Sequence, residues 1–145
     1  MSSRDITLYI VDIFIAIDKL DRYIARFNDG EHLLGDEVYW DASIRELEII
    51  GEATKFLLSS DLIDVRYRRI VDFRNQIIHG YFGIDTKIVW DVLTEKLPQY
   101  KKDLIHIVRM NNIQLEDAIA YAKVEFATHP KTTIMLDTLI NTIKE

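Results

Sequence analysis

ITLYIVDIFIAIDKLDRYIARF, residues 6–27, decides the fold class of this chain. Ile6, Ile10, Ile13, Ile17, Leu20, Ile24 and Phe27 recur at the 3.6-residue period of a helix, with Tyr9 alongside. The spacing predicts one long amphipathic helix from about Asp5 to Phe27, stopped by Asn28-Asp29-Gly30. A second helix should begin near Asp36, whose carboxylate can cap first-turn amides, and run to about Ser59. Its polar residues Asp41, Arg45, Glu48, Glu52 and Lys55 collapse into one narrow stripe. Apolar or small residues fill most of the remaining circumference, among them Val38, Trp40, Ile44, Leu47, Ile50, Phe56 and Leu58. Such a helix is buried on more than one side, which implies contact with its own chain and with a second subunit. Glu46 is the exception, a carboxylate inside the apolar arc.

Working outward, a third helical stretch covers about Leu62 to Tyr81 and is ended by Gly80 and Gly83. The fourth runs from about Thr86 to Met110, with Val89, Leu93, Tyr100, Leu104 and Ile107 on one face. Pro98 lacks an amide hydrogen and must kink or restart it. Two more helices follow, Gln114 to Ala127 and Lys131 to Ile143, separated by His129-Pro130. Two prolines and five glycines in 145 residues are too few turn signals for an all-β domain. The expected fold is all-α: a four-helix up-and-down bundle over residues 1–110, with a two-helix extension over 111–145 packed on the same domain.

The composition, 48% apolar and 29% charged, is that of one globular domain. Absence of cysteine excludes thiol nucleophiles and disulfides and fits a reducing compartment. No apolar run approaches the ~20 residues that span a bilayer. Asp5, Asp12 and Asp18 interrupt the N-terminal stretch against a signal-peptide reading. A cytoplasmic protein without a membrane role is expected. The net charge of −6 disfavours sequence-blind binding of nucleic acid, except through a local cationic patch. Arg66, Arg68, Arg69 and Arg74, within nine positions, form one.

Of four histidines, His32 lies in a polar loop, His106 on a helix flank and His129 before a proline. None has a second ligand at helical metal-site spacing, so no metal site is expected. His79 differs by its company, Arg74-Asn75-Gln76-Ile77-Ile78-His79-Gly80-Tyr81. At about 100° per residue, Arg74 and His79 point about 140° apart and flank one helix edge, and Tyr81 lies two turns beyond Arg74. An always-charged fork and a proton-transfer imidazole suit a phosphodiester. The same spacing also suits a plain helix end, in which His79 meets the last carbonyls, Gly80 stops the helix and Tyr81 packs.

The string Arg74-Asn75-(three residues)-His79-Gly80-Tyr81 resembles the RxxxxHxY signature of HepT-like toxins of the HEPN superfamily. Ile49-Ile50-Gly51-Glu52-Ala53, Phe73-Arg74-Asn75, Tyr81-Phe82-Gly83-Ile84-Asp85 and Leu97-Pro98 agree with it. The resemblance covers about residues 5–110; the tail after Met110 extends beyond the usual end of such proteins.

The resemblance implies a HEPN-type bundle and a toxin of a two-gene pair that cleaves RNA without metal or other cofactor. His79 would be the general base or acid, Arg74 the stabiliser of the phosphorane, and Asn75 an orienting group. Arg66, Arg68 and Arg69 would hold flanking phosphates. A homodimer would bring two copies of Arg74 and His79 to one cleft, with the first two helices forming most of the contact. The implied antitoxin is a minimal nucleotidyltransferase that adds AMP to Tyr81. The competing expectation is a non-catalytic helical module that binds a nucleotide or such a partner.

Overall fold

The computed structural model describes residues 5–79 and 84–145. Those residues fold into helices and turns: α1 (Ile6–Ile24), α2 (Gly30–Gly35), α3 (Glu37–Ser59), a 3-10 turn (Val65–Tyr67), α4 (Arg68–Ile78), α5 (Thr86–Asp91), a π segment (Val92–Lys96), α6 (Leu97–Met110), α7 (Glu116–Glu125) and α8 (Pro130–Lys144). The all-α expectation holds. No helix among the described residues is long and apolar enough to cross a membrane.

Aspartates start α1, α2, α3, the 3-10 turn and α5. Asp5, Asp29, Asp36, Asp64 and Asp85 each accept a backbone N–H from two or three residues on, at 2.8–3.1 Å. Each satisfies a first-turn amide and places a negative charge at the positive end of the helix dipole. Asp29 shows why α2 escapes a periodicity reading. Residues 28–30 were expected only to stop α1, yet Asp29 caps a six-residue helix too short to show a repeat. Gly30 is required there, because a Cβ on it would lie 2.2 Å from the Thr86 carbonyl oxygen at the start of α5.

α1 is the axis of the molecule. Ile10, Val11, Ile13, Phe14, Ile15, Ala16, Ile17 and Leu20 are all buried, so most of the circumference of the helix is enclosed, while Asp12 and Lys19 stay half-buried. α3, α6, α7 and α8 surround it. The apolar stripe that was read from the sequence is thus covered mainly by the rest of its own chain. The apolar girth of α3 has a similar account: α1 lies on one side and α4 on the other. Tyr39, Trp40, Ile44, Ile49, Phe56 and Leu58 stay half-buried, and Val38 is exposed. Leu115, Ala118, Ile119 and Ala122 around α7, with Leu136 and Leu139 of α8, join the same core.

Pro98 acts as expected, one turn earlier than its own position. The Leu97 N–H reaches back five residues to the Val92 carbonyl, which opens the π turn, and α6 restarts with Pro98 in its first turn. Deeper in the core, the Thr54 and Tyr100 hydroxyls share a hydrogen bond of 2.9 Å between α3 and α6. Tyr67 stacks on Tyr100 with ring centroids 5.1 Å apart. α3 and α6 end without glycine. Asp61 (φ 59°) and Asn112 (φ 50°) take the left-handed position after the helix. The N–H of the next residue bonds the carbonyl five back, Leu62 to Leu57 and Ile113 to Val108.

Glu46 sits in the α1–α3 interface with 6% of its surface exposed. Burial pushes its carboxyl pKa up, while Lys19, Arg45 and Arg22 pull it back only in part. A raised folded-state pKa means that the protonated form suits the fold, and stability is lost as pH rises through that value. Glu46→Gln should therefore be more resistant to urea than wild type at pH 7. Its advantage should shrink towards zero as pH falls below the carboxylate range, measured as paired unfolding midpoints.

Candidate active site

α4 is short and lies directly on α3, and the approach is closest at Gly51. A Cβ at residue 51 would stand 2.4 Å from Cβ of Arg74 and 2.5 Å from its Cγ. Only a residue without a side chain admits the Arg74 stem there. The stem is thereby pinned, and Nε is buried without a hydrogen-bond partner among the described residues. The terminal nitrogens emerge beside polar groups. Nη1 donates to Asn75 Oδ1 at 3.0 Å, and Nη2 lies 3.5 Å from Glu52 Oε2. They border a cleft of about 320 Å³ whose walls include Lys55 of α3 and Arg68 of α4. Three cations face one carboxylate, an arrangement that favours an anion. The Arg74–Glu52 pair is partly solvated, with 29% and 46% of the side chains exposed, so its hold is weak, about 0–1 kcal/mol. A phosphate bound by a bidentate fork is a stronger partner for the same guanidinium.

His79 occupies the C-cap of α4, fully outside the core, with its backbone N–H on the Asn75 carbonyl at 3.1 Å. Its phase on the helix aligns it with the exposed residues Arg68, Asp72 and Gln76 along the outer crest of α4. Arg74 instead turns down the flank towards α3. The geometry thus joins Arg74, Asn75 and Arg68 around one cleft and sets His79 at the end of the crest above it. It also divides the arginine cluster, because Arg66 and Arg69 line a different groove on the opposite flank. Tyr81 lies outside the described residues. The other histidines belong elsewhere: His32 contacts Asp29 at 2.7 Å, His106 is exposed on α6, and the His129 ring meets Phe126 at 5.6 Å.

Sequence reasoning overlooked Gly51, Glu52 and Lys55 as site residues. Glu52 and Lys55 read as part of one narrow polar stripe on α3, and nothing in periodicity tells a solvated edge from the wall of a cleft. Gly51 carried a signal, since a glycine inside a helix costs about 1 kcal/mol and commonly marks a close backbone approach.

The family described as Ribonuclease HepT-like matches residues 13–107, from α1 to the last turn of α6. Curated relatives cover a similar span. A Methanocaldococcus jannaschii protein provisionally named RNase MJ0127 is 32% identical over 81% of this chain and 97% of its own. Another from the same organism, provisionally named RNase MJ1380, is 31% identical over 72% of this chain and 97% of its own. A Thermococcus cleftensis protein provisionally named ribonuclease HepT is 33% identical over 64% and 86%. No solved structure matches the chain. With a pinned arginine at a cation-lined cleft and a histidine on the same short helix, within the span that these relatives share, the chain belongs to the HepT-like ribonuclease family.

Proposed function

We propose that this ribonuclease is the toxin of a toxin–antitoxin pair, a metal-independent endoribonuclease that cuts RNA by attack of its own 2′-hydroxyl. The observation that carries the reading is the Arg74 guanidinium, fixed by Gly51 at a cleft with excess positive charge. The nucleophile comes from the substrate, so the protein must orient the phosphate, stabilise its charge and move two protons. Arg74 binds the non-bridging oxygens, steadied by Asn75 and with Glu52 displaced. Arg68 and Lys55 neutralise the adjoining backbone. A base removes the 2′-OH proton as the 2′-oxygen bonds phosphorus. An acid then protonates the departing 5′-oxygen, giving a 2′,3′-cyclic phosphate and a 5′-hydroxyl. In-line geometry puts base and acid on opposite sides, and one His79 cannot stand on both. A homodimer resolves this with a second His79.

Arg74→Ala and His79→Ala should each lower RNA cleavage by about 10²–10⁴-fold in EDTA, with helical content intact by circular dichroism. Undiminished cleavage would remove the residue from the mechanism. A chain that binds RNA or nucleotide yet never cuts it would be the non-catalytic module instead.

Gly51→Ala separates positioning from folding. Alanine gains about 1 kcal/mol of helix propensity, but its methyl group overlaps the Arg74 stem, and overpacking costs about 1–3 kcal/mol. The clash wins. The variant should melt a few degrees lower, and cleavage well below the melting point should fall at least tenfold through kcat, because the guanidinium has moved.

Control by a minimal nucleotidyltransferase belongs to the same proposal. AMP on Tyr81, two residues from His79, would set a phosphate where the RNA phosphate binds and repel it. Co-expression with the proposed nucleotidyltransferase antitoxin should add one or more AMP masses mapping to Tyr81, absent in Tyr81→Phe, together with loss of cleavage. An unmodified Tyr81 in a neutralised complex would refute this form of control.

A further inference from the structure

The flank of α4 opposite the Arg74 cleft holds a second and larger concavity, a groove of about 620 Å³ between α4 and the π segment with α6. That size suits a nucleotide. Ile70 and Phe73 of α4 and Leu97 of α6 give it an apolar floor, and Arg66, Arg69 and Lys96 stand on its rim. We propose that this groove binds an unstacked base of single-stranded RNA together with its phosphate, one helix width from the cleavage cleft. The proposal rests on the ribonuclease reading and extends it to substrate recognition.

Charge is the first argument. The chain carries 24 acidic and 18 basic side chains, yet three cations meet at this rim. Its one carboxylate, Asp103, is already engaged: it accepts from the Tyr67 hydroxyl at 2.5 Å and from Gln99 Nε2 at 2.9 Å, with Arg66 at 3.8 Å. Arg69 and Lys96 are exposed, and neither is in an ion pair among the described residues. A backbone phosphate is the natural counter-charge. A second copy of the chain is a poor occupant, because a two-fold contact here would set this cation-bearing rim against the same rim of the other copy.

Shape is the second argument. A base needs a flat apolar surface for its faces and polar groups at its edge. The half-buried Phe73 ring and Ile70 offer the first, while the exposed Gln99 stands at the edge with its amide oxygen available as an acceptor. α4 then acts as a ridge about 10 Å across, with phosphate chemistry on one slope and base recognition on the other. A strand crossing the crest runs past Arg68 and His79. Duplex RNA buries its bases in the stack and cannot supply one to the groove.

The test uses a fluorescent 2′-O-methyl oligoribonucleotide, which binds but cannot be cut, and a 4-thiouridine version for photocrosslinking. Arg69→Glu/Lys96→Glu should weaken binding at least tenfold. It should also reduce the slope of log affinity against log salt by about 1.4, at roughly 0.7 per phosphate contact on single strands. Crosslinks in wild type should map to peptides containing Phe73 or residues 96–100. Lys96→Glu alone, with half the slope change, serves if the double variant fails to fold. Unchanged affinity, crosslinks confined to other peptides, or no binding by wild type would each overturn the groove assignment. So would a double variant that binds RNA normally but loses a dimer by analytical ultracentrifugation. Cleavage of unmodified RNA, followed in parallel, judges the ribonuclease reading separately. Groove binding without cleavage removes only that reading, and cleavage without groove binding removes only this one.

Discussion

The distance between α3 and α4 at residue 51 governs the site. Packed helices usually sit 8–10 Å apart, set by the side chains that meet between them. Here one of the two is hydrogen, and the space goes to the stem of Arg74. A single contact therefore docks α4 and fixes the residue that α4 presents. Glu52 follows in the chain and arrives beside the same guanidinium as a consequence of helical phase. Because that ion pair is half-solvated, it orients Arg74 without competing seriously with a phosphate.

That contact is only as firm as the placement of α3, and α3 is gripped from inside. α1 covers one face with a buried, nearly all-aliphatic surface. Such packing is strong but non-directional, so it leaves sliding along the helix axis weakly determined. The buried Thr54–Tyr100 hydrogen bond supplies direction, since displacing α3 against α6 would strand two hydroxyls in the core. Tyr67, stacked on Tyr100 and bonded to Asp103, extends this alignment to the start of α4. Both concavities beside α4 thus inherit their walls from one polar link in an apolar interior.

The fold was largely legible because the long helices advertise themselves. α1, α3 and α6 carry apolar repeats over several turns, and Asp36 and Pro98 mark boundaries by chemistry that needs no tertiary context. α2 was invisible for want of length. The double apolarity of α3 was read correctly as two-sided burial, but α4 supplies the second side to a large extent. The site was legible in part. The Arg74 and His79 spacing placed both on one short helix, and adjacency tied Asn75 to Arg74. Periodicity within one helix, however, says nothing about which neighbour lies across from it. Glu52, Lys55 and Gly51 belong to the cleft through an encounter with Arg74, which lies 19 to 23 positions further along the chain. The same limit applied to the arginine cluster, whose members diverge to two sides of α4.

The glycine-free ends of α3 and α6 have a thermodynamic counterpart in the denatured ensemble. Asp61 and Asn112 hold left-handed backbone angles that glycine would adopt more readily, at a cost of up to about 1–2 kcal/mol for an L-residue and less for Asp and Asn. Each Cβ also restricts the unfolded chain, which favours folding by about 0.4–1 kcal/mol relative to glycine. The two effects nearly cancel. These helices therefore stop at little net cost while the random coil explores fewer conformations, and the sparseness of glycine throughout the sequence becomes a property of the disordered state as much as of the native one.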